Sequence, residues 1–145
     1  MGNAPSITRD DVLLLLIDGA DGQYSVDPVR LMKGAFLVVK RGRPGWNDLF
    51  NFQAYDYGPF DREVYDSRDN LVRLGLVNVS KAQYEQYELT SDGVERAQSL
   101  RQGIGEDAEW IRGIGHYVST RSFSSLLEEI YTAYPRYRSR SIYRS

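Results

Sequence analysis

The sequence predicts a mainly helical α+β fold, with one short β-hairpin set among helices and further helices behind it. Three observations carry that reading. Apolar residues recur at helical spacing over much of the 145 residues. Residues suited to capping precede most of these runs, and glycine or proline follows several of them. Only Leu76–Leu89 reads as two short extended runs joined by a turn. The composition, 41% hydrophobic and 26% charged with 5 prolines, is that of a globular chain with a core of its own.

The first helix starts at Thr8, whose hydroxyl can take an orphan N–H, with Asp10 and Asp11 at the positive end of the helix dipole. It runs through Val12–Ile17 and stops at Gly19, where Asp18–Gly22 reads as turn material. Asp27 caps the second helix, with Pro28 at its first position and Leu31, Phe36, Val38 and Val39 inside it. Residues 41–45, Arg-Gly-Arg-Pro-Gly, break that helix near Lys40. Phe50, Phe52 and Tyr55 then form an aromatic, extended stretch.

Tyr57-Gly58-Pro59-Phe60 leads into a third helix capped by Asp61, with Phe60 at the hydrophobic-staple position. Val64, the stem of Arg68, Leu71 and Leu74 share one stripe and are expected to face inward. Gly75 ends the helix. A strand at Leu76–Val79, a turn at Ser80–Gln83 and a strand at Tyr84–Leu89 follow. Thr90 then opens a fourth helix with Val94, Ala97 and Leu100 inside. Helix, glycine, strand, turn, strand, helix is the order of a winged helix, with the hairpin as wing and the preceding helix in the groove-reading position.

Two more helices are expected, from Ala108 to about Thr120 and from Ser122 to Tyr134, the last capped by Ser122 and ended by Pro135. The division expected is a winged-helix-like core over residues 1–102, C-terminal helices over 103–135 that pack on the core or serve a homodimer, and a basic tail over 136–145.

Several motifs together resemble a known group. They are Leu31-Met-Lys-Gly-Ala-Phe36, Phe52-x-x-Tyr55-x-Tyr57-Gly-Pro-Phe60, Leu71-x-x-Leu74-Gly-Leu-Val77, Tyr87-x-Leu89-Thr90-x-x-Gly93 and Tyr131-x-x-Tyr134-Pro-x-Tyr137. Their order resembles the YwgA-like and SocA-like (Panacea) prokaryotic proteins over about residues 10–142. The resemblance implies a helical winged-helix-like fold and a role as regulator or antitoxin. It supplies no catalytic residue.

Charge and composition narrow the function. The net charge is −2, but it is unevenly placed: residues 136–145 hold four arginines and no acid, so all 20 acids lie in the rest of the chain. Such a tail either touches phosphate or lies solvated or folded back on the acidic body. With no cysteine and a single histidine, His116, the chain offers no thiol chemistry and no multi-histidine metal site. Val12–Ile17 is far shorter than the roughly 20 residues of a membrane span, and the first residues lack a signal-peptide pattern. The expectation is a cytoplasmic protein with no membrane partner and no cofactor. Ser119, His116 and Asp107 make a hydrolytic set only on paper, without a nucleophile elbow, so no catalytic residue is expected.

The expected function is non-enzymatic regulation by binding double-stranded DNA, with a protein partner on the same surface as the alternative. On the third helix Arg62, Tyr65 and Arg73 are the candidate groove contacts. Lys81 at the wing tip, with Arg30 and Lys33 on the second helix, would touch phosphate. Asp66 and Asp69 oppose a polyanion and suit a basic protein instead. Lys40, Arg41 and Arg43 form a further basic cluster. The 11 tyrosines, with Tyr55, Tyr57, Tyr65, Tyr84 and Tyr87 around the winged region, favour a binding surface of some kind.

Overall fold

A computed structural model describes residues 6–81 and 83–142. Helix α1 is Arg9–Asp18. Thr8 and Asp11 close a reciprocal capping box, each side chain accepting from the other's backbone N–H at 3.1 Å. Every residue from Val12 to Ile17 is buried. A helix apolar on all sides can only be central, and the other elements assemble around it.

Helix α2, Pro28–Arg41, starts on Asp27, whose carboxylate accepts from Arg30 N–H at 2.8 Å. Leu31–Val39 is buried without a break. Helices α5, Glu106–Ser119, and α6, Phe123–Ala133, complete the helical body. α5 lies against both α1 and α2. Its crossing with α1 is at backbone contact, because a methyl on Gly115 would sit 2.1 Å from the Leu16 carbonyl oxygen. A methyl on Gly19 would likewise sit 2.1 Å from the Arg112 carbonyl oxygen.

Strands β1, Gln53–Tyr55, and β2, Gly58–Phe60, form an antiparallel hairpin, with Gln53 opposite Phe60 and Tyr55 opposite Gly58. From sequence, Gly58–Phe60 is expected only as a lead-in to the next helix; in the fold it is a strand. Proline is rare inside sheets because it lacks a ladder donor, and Pro59 fits here because its strand has only one neighbour. Gly58 takes φ +92 at the turn, a conformation that favours glycine.

Helix α3, Arg62–Arg73, is capped by Asp61, and Phe60 packs edge-on against Tyr65 at 5.7 Å as a staple. Val64 and Leu71 are buried, with Ser67 between them. Leu74 does not complete the stripe; it is 56% exposed. The helix ends at Arg73, and Gly75 at φ +76 swings the chain so that Leu76 N–H returns to the Leu71 carbonyl at 3.0 Å. Leu74 is the C-cap, one residue past the helix that sustains the period. Val94 in α4, Ser91–Ile104, is also exposed, while Ala97 and Leu100 are buried.

Strands β3, Val77–Ser80, and β4, Gln86–Leu89, pair antiparallel, Val77 with Leu89 and Ser80 with Gln86. Val26, between α1 and α2, bridges Tyr87 on the far edge of β4, where Tyr87 N–H donates to its carbonyl at 2.7 Å. Helix, bridge, helix, helix, hairpin is winged-helix topology. The β1–β2 hairpin is an insertion into it, so α2 and α3 are not joined by the 3–4-residue turn of a helix-turn-helix.

The chain after α6 folds back. A short 3₁₀ turn, Pro135–Arg138, buries Tyr137 against Phe36 at 4.8 Å between ring centres. Beyond it Ser141 Oγ and Ile142 N–H both donate to the Asp56 carbonyl, at 3.1 and 2.9 Å. Among the described residues, no helix is long and apolar enough to cross a membrane.

Candidate functional site

The outer stripe of α3 carries Arg62, Asp66, Asp69 and Arg73, spaced so that they share one side of the helix. All four are exposed. Arg62 lies 3.9 Å from Asp66 one turn on. Asp69 accepts from Arg68 Nε at 2.9 Å, and Arg73 donates to the Asn70 side chain. The stripe is neutral, and its cations already face acceptors. Arg68, with only its edge exposed, binds the Tyr87 hydroxyl at 2.8 Å and so ties α3 to β4. Burial pushes the Tyr87 hydroxyl upward in pKa, against the lowering effect of Arg68.

Lys81 is exposed on the turn between β3 and β4 and can reach a partner. Tyr84, three residues on, is 67% exposed. The other basic candidates do not join that surface. Arg30 is half-buried and spent on local structure. It pairs with Asp27 and donates to the carbonyls of Val118, at 3.2 Å, and Arg121, at 2.8 Å, which closes the C-terminal end of α5. Lys33, expected at a phosphate, is instead only 4% exposed and cannot touch a phosphate backbone. Helical period places it beside buried Phe36 and Leu37 on α2, and the β1–β2 hairpin covers it through Gly58 and Pro59.

The basic cluster at the end of α2 disperses as well. Arg43 donates to both Asp107 carboxylate oxygens at 2.8 and 2.7 Å. Arg41 reaches the Tyr134 hydroxyl at 3.3 Å. In the C-terminal segment Arg136 lies over the Tyr137 ring at 4.9 Å, and Arg138 is 3.8 Å from Glu128. Arg144 lies outside the described residues. The Ser119–His116–Asp107 set is not assembled, since Ser119 Oγ donates to the His116 backbone carbonyl at 3.0 Å and Asp107 is held by Arg43.

Two of the sequence candidates do converge, but inward. Lys33 and Tyr65 both line a cavity of about 170 Å³ between α2, the β1–β2 hairpin and α3. Tyr55, Tyr57 and Phe60 supply further aromatic walls. Tyr55 packs on Phe60 at 5.2 Å, and Tyr65 is stacked under the Arg68 guanidinium at 4.6 Å. Lys33 Nζ donates to the Pro59 carbonyl at 3.1 Å. Burial alone drives its pKa down to about 7. The tyrosine cluster in the sequence was a signal for this pocket, whereas the role of Lys33 was not, because it depends on where the inserted hairpin lands.

A second aromatic pair had no sequence signal. Trp46, in the 3₁₀ turn Pro44–Trp46, meets Trp110 of α5 at 6.0 Å beside the Arg43–Asp107 pair. These features define a mainly helical, winged-helix-like fold in which the outer stripe of α3 is charge-balanced and Tyr55, Tyr57 and Tyr65 gather around a buried lysine. No protein-family model and no curated protein matches this chain.

Proposed function

We propose that this is a non-catalytic adaptor or antitoxin-like module that grips a basic protein partner through the outer stripe of α3 and the β3–β4 wing. One observation carries the reading: no surplus of cations gathers on that surface. Glu63, Asp66, Asp69, Glu85 and Glu88 stand against Arg62, Arg68, Arg73 and Lys81, and Arg68 is already shared between Asp69 and Glu85. A duplex reader needs several unpaired cations, because phosphate contacts supply most of its non-specific affinity. Arg30 and Lys33 do not supply them from α2, because Arg30 is held by Asp27 and the Val118 and Arg121 carbonyls and Lys33 is buried. Exposed Tyr84, Val72 and Leu74 add the aromatic and apolar area typical of protein contacts. The resemblance to YwgA-like and SocA-like proteins agrees with such a role.

The winged-helix topology favours the competing reading, a duplex DNA regulator, and a single experiment separates them. Wild-type protein is titrated against mixed-sequence duplex at about 50 and about 200 mM salt. The adaptor reading expects no binding at either. Tight binding that collapses with salt would falsify it. Asp66→Lys with Asp69→Lys makes the α3 stripe wholly basic and is expected to confer salt-sensitive duplex binding. The same double variant should lose a basic protein that copurifies from native cells, whereas Glu95→Lys on α4 should keep it.

A further inference from the structure

Lys33 is an unusual residue to bury. Long cationic side chains are almost never fully buried unless paired, yet among the described residues Lys33 makes no ion pair. Its one hydrogen-bond acceptor there is the neutral Pro59 carbonyl. An ammonium carries three donors, so two are left for something else. The cavity beside it holds about 170 Å³ and is walled by Val29, Met32, Tyr55, Tyr57, Phe60 and Tyr65. An apolar cavity of about 150 Å³ is large enough to hold benzene. The pocket therefore combines room for one ring with a single cation at its wall.

We propose that this pocket binds a small organic monocarboxylate, its apolar body against the tyrosine walls and its carboxylate on Lys33 Nζ. A neutral ligand would leave the buried ammonium uncompensated, whereas a carboxylate pairs with it and accepts its remaining N–H donors. Asp56, exposed at the pocket rim, supplies a negative charge that selects against dianions such as phosphate. Tyr55 and Tyr57 of the hairpin and Tyr65 of α3 are the other titratable groups lining the space, and among the described residues Lys33 is its only cation.

Protonation gives the site a signature. Burial holds the empty-pocket amine at about 7, and a bound carboxylate would pull it back up, so binding takes up a proton near neutral pH. The probe is benzoate, measured by titration calorimetry in two buffers of different ionisation heat. Expected is one site with proton uptake and an affinity about tenfold weaker at pH 8 than at pH 6. Benzamide, of the same shape without the charge, should bind at least tenfold more weakly. Lys33→Met, which keeps the aliphatic stem, should abolish benzoate binding.

No benzoate binding at about 10 mM, equal affinity for benzamide, or indifference to pH would each overturn the proposal. The benzamide and pH arms use the wild-type chain, so they decide the matter even where Lys33→Met fails to fold. The pocket does not include the α3 stripe, so this result stands apart from that of the duplex titration.

Discussion

At the scale of single residues, Lys33 makes stability depend on pH in a particular direction. In the folded chain its amine loses a proton at about 7, and in the unfolded chain near 10.5. Between those values the unfolded chain holds the extra proton, so stability rises with pH. Below pH 7 the cost of burying the charge is fully present; above about 10.5 it is gone. Urea titrations should show the protein gaining about 2 kcal/mol between pH 7 and pH 9. Lys33→Met should flatten that rise. A flat wild-type profile over the same interval would mean that Lys33 keeps its charge through contact with water. Tyr65 and Tyr87, whose hydroxyls burial pushes upward, act in the opposite sense only near and above pH 10. The burial of Lys33 was not legible in the sequence because a lysine one turn into an apolar helix reads equally well as a surface charge. Its fate was decided by a hairpin more than twenty positions away, whose Pro59 carbonyl comes to meet it.

At the scale of elements, two glycines of α5 make opposite predictions from almost the same sequence context. Gly115 faces α1, where a methyl would meet the Leu16 carbonyl oxygen at 2.1 Å. Backbone cannot move aside as a flexible side chain can, so Gly115→Ala should wedge the helices apart and cost about 3 kcal/mol. At Gly113 an added methyl meets nothing within 4 Å. Gly113→Ala should therefore stabilise the helix by about 0.5–1 kcal/mol, through propensity and the reduced freedom of the unfolded chain. Chemical denaturation of the two variants checks both signs, and equal effects would refute the tight α1–α5 crossing. The sequence shows Gly113-Ile-Gly115 but not which glycine is pinned, since that is a contact with a distant helix. What local chemistry controls was legible: Thr8, Asp27, Asp61, Thr90 and Ser122 each cap the helix expected of them. The β3–β4 hairpin was legible for the same reason, through Gly75 and the paired runs after it. The β1–β2 hairpin was not, because its strands are three residues long and one contains proline. Of the candidate surface, the four outward residues of α3 follow from helical period alone, whereas the balance of their pairing needed coordinates.

At the scale of the whole molecule, the C-terminal third determines how the chain unfolds. An appendage on a winged-helix core would melt separately, because few apolar contacts would hold it. The contacts here are of another kind. Phe36 of α2 is enclosed edge-on by Phe52, Tyr134 and Tyr137, at 5.3, 5.1 and 4.8 Å. Two of those rings follow α6, so the end of the chain closes the core of its first half. Ser141 extends the clasp, accepting from the Tyr131 hydroxyl at 2.5 Å while donating to the Asp56 carbonyl. One cooperative transition is therefore expected, with tryptophan fluorescence from Trp46 and Trp110 and far-ultraviolet circular dichroism giving the same midpoint. Tyr137→Ala removes a ring that is 2% exposed and should lower stability by about 3 kcal/mol. Both signals should shift together. If only part of the helical signal moved while the tryptophans kept the wild-type midpoint, the last helix and its 3₁₀ turn would be a separate unit. The basic segment would then be free to engage a partner, in place of its role here, which is to close on Phe36 through Tyr137 and to tie down the β1–β2 hairpin through Ser141 and Ile142.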